Sequence, residues 1–155
     1  MKYSYYTNSD LTVGIQKIAR AVTVDDFKPE LVVGVLRGGI IPAVYLSHWF
    51  GCPLASTSWT TRDDAVVNNE TIDDAVYEAI ASNKHVLLVD DICDSGLTLK
   101  QIVENIKEKT ELHANLKSAV LHYNIGQDTF EPDYYHLEIN NEDDPSWVVY
   151  PWEDV

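Results

Sequence analysis

Asp90, Asp91 and Asp94 place three carboxylates in one short stretch, and Ser95, Gly96 and Thr98 follow at once. The second half of the stretch suits a phosphate. Two hydroxyls can donate to it, and a glycine lets it approach the backbone. A helix starting here would also present unpaired N–H groups at its positive end. The first half has the opposite sign. Three acids repel a phosphate unless a divalent cation lies between them or a sugar diol donates hydrogen bonds to them. A ligand that combines a phosphate, a ribose and a metal-bound polyphosphate satisfies every group. Taken alone, the stretch also fits an ordinary turn with Asp94 or Ser95 as helix N-cap and the acids solvated.

Arg37-Gly38-Gly39 is a second candidate. Arg37 is a fixed donor fork suited to a diphosphate, and the paired glycines permit unusual backbone angles and close approach of a ligand. By itself the tripeptide reads better as a plain turn. Trp147 is a third, because a flat ring after an acidic turn can stack on a planar ligand. Trp152 reads as core packing.

The elements that must hold these residues are legible from periodicity. Val86-Leu87-Leu88-Val89 is an unbroken apolar run, as expected of a parallel strand covered on both faces. Leu99 to Ile106 repeats its apolar residues at helical spacing. The acidic turn therefore lies at the carboxyl end of a strand, where open α/β sheets bind ligands. Leu31 to Leu36 predicts another buried strand, and Ile40 to Phe50 a helix with Pro42 in its first turn. Further strands are predicted from Pro53 to Trp59, from Lys117 to Tyr123, and from Tyr134 to Ile139. Ser9 or Asp10 can cap a first helix whose stripe is Leu11, Ile15, Ile18, Ala19 and Val22. Ile72, Ala75, Val76, Ala79 and Ile80 mark a short amphipathic helix. Thr60 to Thr71 reads as a polar surface loop and Asn140 to Pro145 as a charged turn.

A chain of 155 residues fits one domain, 1–155, with enough length to bury a substantial core. Hydrophobic residues at 45% argue for a globule rather than disorder. No run is apolar enough to span a membrane, and the polar start Met1 to Tyr6 does not read as a signal peptide. Cys52 and Cys93 are too few for a disulfide scaffold, so a cytoplasmic location is expected. The five histidines lack metal-ligand spacing and read as surface or core-edge residues. A formal charge of −14 argues against nucleic acid as a partner, because phosphate neutralisation needs a basic surface.

The apolar strand followed by Asp90-Asp91 and by Asp94-Ser95-Gly96-Leu97-Thr98 resembles the phosphoribosyl-diphosphate (PRPP) signature of type I phosphoribosyltransferases. Leu36-Arg37-Gly38-Gly39, one βα unit earlier, resembles the pyrophosphate loop of that family, in which the peptide before the basic residue is cis. Trp147-Val148-Val149-Tyr150-Pro151-Trp152-Glu153 is similar to the base-binding end of bacterial xanthine-guanine and hypoxanthine-guanine enzymes. The resemblance runs from Val32 to Asp154. It implies an α/β fold with a mostly parallel sheet flanked by helices and a small C-terminal hood.

The resemblance also implies a reaction. The 5-phosphoribosyl group of PRPP moves to a 6-oxopurine, guanine, xanthine or hypoxanthine, in purine salvage. Asp90 and Asp91, with Glu153, would hold Mg²⁺, and the two aspartates would also hold the ribose. Asp94, Ser95, Gly96, Leu97 and Thr98 would hold the 5′-phosphate, and Leu36, Arg37, Gly38 and Gly39 the diphosphate. Asp94 would exchange a proton with the base, which Trp147 and Val148 would bind. Ser58-Trp59 stands where the family has Ser-Tyr at the root of a covering lid. A homodimer or homotetramer is implied. Asn124, or Tyr123 if the register slips by one, stands where oxopurine enzymes place a lysine. A rotatable amide there predicts loosened base selectivity, and Asn124→Lys predicts a gain for 6-oxopurines. A phosphoribosyltransferase for another base and a non-catalytic PRPP-binding regulator are the alternatives.

Overall fold

The computed structural model describes residues 2–59, 71–110 and 115–153. In chain order the elements are β1 (Lys2–Tyr5), α1 (Asn8–Val24), β2 (Leu31–Leu36), α2 (Ile40–Phe50), β3 (Leu54–Ser58) and β4 (Thr71–Ile72). They continue as α3 (Asp74–Ala81), β5 (Val86–Cys93), α4 (Leu97–Lys109), β6 (Leu116–Asn124), β7 (Tyr134–Ile139) and β8 (Ser146–Val149). The main sheet has the order β4-β3-β2-β5-β6-β7, parallel throughout except for the antiparallel edge β4.

Helices cover both faces, which explains the unbroken apolar run of β5. Successive strand residues point to opposite faces. Leu87 and Val89 join Ile18, Val22 and Leu46 from α1 and α2. Val86 and Leu88 join Ile80, Ile102 and Ile106 from α3 and α4. Each such side chain, fully buried, contributes about 1.5–3 kcal/mol relative to exposure. The sheet is therefore a rigid platform, and its strand ends are well defined.

Three local features differ from the sequence reading. Helix α1 starts two or three residues earlier than Ser9 or Asp10 would cap it: Thr7 is the N-cap and Asp10 closes a capping box. The Asp10 N–H donates to Thr7 Oγ1 at 3.1 Å, and the Thr7 N–H to Asp10 Oδ2 at 2.8 Å. The edge beside β3 is the two-residue strand β4, so Thr71 belongs to the sheet rather than to the loop. Lys2–Tyr5 is also a strand. It pairs in parallel with β8, Lys2 opposite Ser146 and Tyr5 opposite Val149. The hood is thus built from both ends of the chain rather than from the C-terminal segment alone, and a Lys2–Asp144 ion pair flanks it.

Two histidines expected at the surface or core edge are buried instead. His136 Nδ1 bonds the Tyr6 hydroxyl at 2.8 Å, and His122 Nδ1 bonds the Tyr150 hydroxyl at 2.8 Å. Tyr150 donates its one hydroxyl proton to the Asp91 carbonyl at 3.1 Å. His122 must therefore be the donor in its pair, a neutral Nδ1–H tautomer. Burial, reinforced by His136, pushes His122 down to about 4. The unfolded chain takes up a proton near 6.5 while the folded protein refuses it until about 4, so acid weakens the fold across that window. Burial raises Asp90 and works the other way, adding stability as pH falls. The His122 contribution is therefore read as a difference from His122→Asn in urea titrations between pH 7 and pH 4. Wild type is expected to lose on the order of 3 kcal/mol more than the variant over this range. Parallel losses would place the acid sensitivity elsewhere.

Candidate functional site

Strands β2 and β5 are neighbours, but the chain leaves them in opposite directions, toward β3 and toward β6. Such a switch point opens a crevice at the carboxyl ends of the strands. The loop after β2 carries Arg37, Gly38 and Gly39, and the end of β5 carries Asp90 and Asp91, so both motifs converge on this crevice. The Leu36–Arg37 peptide bond is cis, as the resemblance implies.

The glycines are required by proximity. A Cβ on Gly39 would stand 2.6 Å from the carbonyl oxygens of Val35 and Val89 and 2.8 Å from Asp90 Cα, all backbone. A Cβ on Gly38 would collide with the Asp91 carboxylate. The glycine loop thus lies directly against the acidic pair.

Asp90 is buried and Asp91 half-buried, and their backbone geometry is tied to their own side chains. The Asp91 N–H donates to Asp90 Oδ1 and the Ile92 N–H to Asp91 Oδ1, both at 2.8 Å. Burial, followed by the charge of Asp91, raises the Asp90 carboxyl well above the usual range, and burial raises Asp91 too. The pair resists carrying two negative charges without a compensating cation. Among the described residues no three His, Cys, Asp or Glu side chains converge to hold a metal alone. Hard oxygen donors here suit Mg²⁺, provided a ligand supplies the remaining oxygens.

Asp91 lines two spaces. One is the pocket of the acidic turn, lined from Asp90 to Gly96 and by Thr98 and Leu99. The other is lined by Arg37, Gly38, Ile40, Ile41, Trp152 and Glu153. Glu153 therefore lines the same space as Asp91, although the two do not form a three-carboxylate ligand group with Asp90. Trp152 lies parallel to Tyr150 with ring centroids 4.7 Å apart and packs against the core.

Helix α4 begins at Gly96, whose φ of 82° is in the left-handed region that glycine occupies at no steric cost. No side chain caps the helix at Gly96, although Ser95 Oγ accepts from the Leu97 N–H at 3.3 Å. Asp94 to Thr98, the residues expected from sequence to take a phosphate, thus form the turn into helix α4 and its first residues, and Asp94, Ser95, Gly96 and Thr98 line the pocket there.

Of the residues expected on the base side, Asn124 is the one arranged differently from the sequence reading. Trp147 is 57% exposed on β8, while Val148 is buried against the core. Asn124 is only 2% exposed. Its Oδ1 accepts from the N–H groups of Gly126 and Asn141, both at 3.1 Å. Its Nδ2 donates to Asp94 Oδ1 at 2.9 Å. The amide is fixed, not rotatable, and a lysine here would leave two backbone donors without their acceptor. The gain expected from Asn124→Lys is thereby offset by about 1–3 kcal/mol for each orphaned donor. Ser58 lies opposite Leu36 in the β2–β3 ladder, and Trp59 Nε1 donates to Gln101 of α4 at 2.9 Å. Residues 60–70 of the expected covering loop lie outside the described residues.

Two residues at this site escape sequence reasoning. Tyr150 links the hood to Asp91, and Asn141 donates from Nδ2 to Asp94 Oδ1 at 3.1 Å. Asn141 was legible only as part of a charged turn. Its side-chain partner is 47 positions away, and no local pattern encodes such a pair.

Comparison with known proteins places this architecture among relatives. The chain is 27% identical over 118 residues to a hypoxanthine-guanine phosphoribosyltransferase of Dictyostelium discoideum, covering 70% of this chain and 66% of that protein. It is 28% identical over 126 residues to a xanthine-guanine phosphoribosyltransferase of Gluconobacter oxydans, covering 79% and 67%. The match thus spans about two thirds of the length of these relatives. A purine phosphoribosyltransferase structure from Pyrococcus horikoshii superimposes with a TM-score of 0.78 at 30% identity, covering 100% of this chain and 97% of that one. The family model described as phosphoribosyl transferase domain matches residues 4–153. With its sheet order, its glycine loop and its acidic turn in place, the chain belongs to the phosphoribosyl transferase domain family.

Proposed function

We propose that this protein transfers the 5-phosphoribosyl group from PRPP to a nitrogen of a 6-oxopurine, forming the C1–N bond as the C1–O bond to diphosphate breaks. The observation that carries this reading is the contact between Gly38 and Asp91, which brings the glycine loop and the acidic turn to one crevice. Leu36, Arg37, Gly38 and Gly39 take the leaving diphosphate, Asp90 and Asp91 the ribose hydroxyls, and Asp94 through Thr98 the 5′-phosphate. Trp147 stacks on the base, and the Val148 backbone reads its edge. Asp94 exchanges the proton of the base nitrogen, a task suited to a carboxylate within hydrogen-bond reach. Ser58 and Trp59 contribute to covering the reaction centre, because water would hydrolyse the activated sugar. Charge develops on the ribose ring and on the departing diphosphate, so catalysis rests on positioning and electrostatics.

Asp90 and Asp91, with Glu153 across the same space, would hold Mg²⁺, whose charge would offset the repulsion between these acids and the diphosphate. Removing Mg²⁺ is therefore expected to weaken PRPP binding at least roughly tenfold, about 1.4 kcal/mol. Calorimetry with and without the ion measures this, and equal affinities would return the acids to a structural role. The reaction itself is tested by incubating the protein with PRPP, Mg²⁺ and each nucleobase in turn while following diphosphate release. Release with guanine, xanthine or hypoxanthine is the expected result. Release with another base alone would overturn the oxopurine assignment.

A further inference from the structure

Asn124 and Asn141 close on the same oxygen of Asp94, their Nδ2 groups donating to Oδ1 from 2.9 and 3.1 Å. Neither amide can turn without loss. The Oδ1 of Asn124 accepts from the Gly126 and Asn141 N–H groups, and the Oδ1 of Asn141 accepts from the Ser146 N–H at 3.3 Å. With both carbonyl oxygens held by backbone donors, both NH₂ groups must face the carboxylate. Two donors occupy the two lone-pair directions of Asp94 Oδ1, which leaves Oδ2 as the oxygen that can exchange a proton. Ser146 is the first residue of β8, and Trp147 follows it. Asn141 therefore joins the acidic turn to the strand that carries the exposed indole.

We propose that Asn141 is a positioning residue for the transfer reaction, holding Asp94 with Oδ2 presented to the base and fixing that carboxylate relative to Trp147. Asn124 is its buried partner, acting through Asp94. The inference rests on the reading of Asp94 as the proton-exchanging group, so its test needs one arm that is independent of turnover.

That arm is a spectrum of the side-chain NH₂ groups. Asp94→Ala is expected to move the Asn124 and Asn141 resonances whether or not the protein acts on purines, and unmoved resonances would overturn the clamp. The second arm is kinetic, using whichever base the protein prefers. Asn141→Ala is expected to lower kcat roughly 10–100-fold, the loss of one hydrogen bond to a charged group, with KM for PRPP changed less than about twofold. Asn141→Asp keeps an acceptor for the Ser146 N–H but replaces the donor to Asp94 with a negative oxygen. It is expected to be at least as slow, whereas a residue serving only the turn would leave it near the wild-type rate. In an Asp94→Asn background, Asn141→Ala should cost nothing further. An equal loss in both backgrounds would reduce Asn141 to a structural role. A wild-type protein that forms no nucleotide with any base would sink the functional reading, while the NH₂ spectrum would still decide the clamp.

Discussion

Asp94→Asn is expected to slow nucleotide formation by roughly 10²–10⁴-fold, the range for a lost acid/base group, while PRPP binds almost as before. The split follows from the geometry of the turn. Of the proposed phosphate cradle, Asp94 through Thr98, the Ser95 hydroxyl, the Gly96 backbone and the start of α4 do not depend on the charge of Asp94. The carboxylate is the only acid in the cradle, and two amides hold it by a single oxygen. An asparagine preserves the shape but cannot take up and return a proton at neutral pH. Single-turnover rates with guanine or xanthine, together with calorimetric PRPP affinity, check both halves. An unchanged rate would remove Asp94 from the proton transfer, and a parallel collapse of PRPP affinity would make it a binding residue instead.

Gly39→Ala is expected to damage both the site and the fold. The added methyl would press on three backbone atoms, from both β2 and β5, and none of them can swing aside as a side-chain end could. Relief requires the carboxyl ends of two central strands to separate, and these are the ends that hold Arg37 and Asp90. Overpacking of this kind costs about 1–3 kcal/mol, occasionally more. For a domain of this size that corresponds to a fall in Tm of about 3–10 °C. PRPP affinity should fall by roughly 10–100-fold as the loop and the acids lose their spacing. Thermal melts and calorimetry report the two effects. A variant with normal Tm and normal affinity would show that the loop has room which this packing denies it.

The sequence by itself determined the layers of this protein and the chemistry of its two loops. A four-residue apolar run such as Val86–Val89 encodes a strand covered on both faces, because only burial on both sides spares it contact with water. The apolar stripes of α1 and α4 are equally local, since each depends on residues within a turn or two of one another. Asp90, Asp91, Arg37, Gly38 and Gly39 could be singled out as candidates for the same reason, although each stretch alone also fits a plain turn and gains its weight from the two standing one βα unit apart. Local order does not contain the choice of distant partners. Nothing in Lys2–Tyr5 says that it will pair with Ser146–Val149, and nothing in His122 says that the Tyr150 hydroxyl oxygen will accept its hydrogen bond. Asn124 read as a free amide near the base because its periodicity gave its strand and its end, but not what stood across from it. Only when the sheet order sets β6 beside β5, and the turn after β7 folds back, do Asn124, Asn141 and Asp94 meet. Tertiary structure decided those encounters because they are made by topology, where long-range packing brings groups together that no short window of sequence contains.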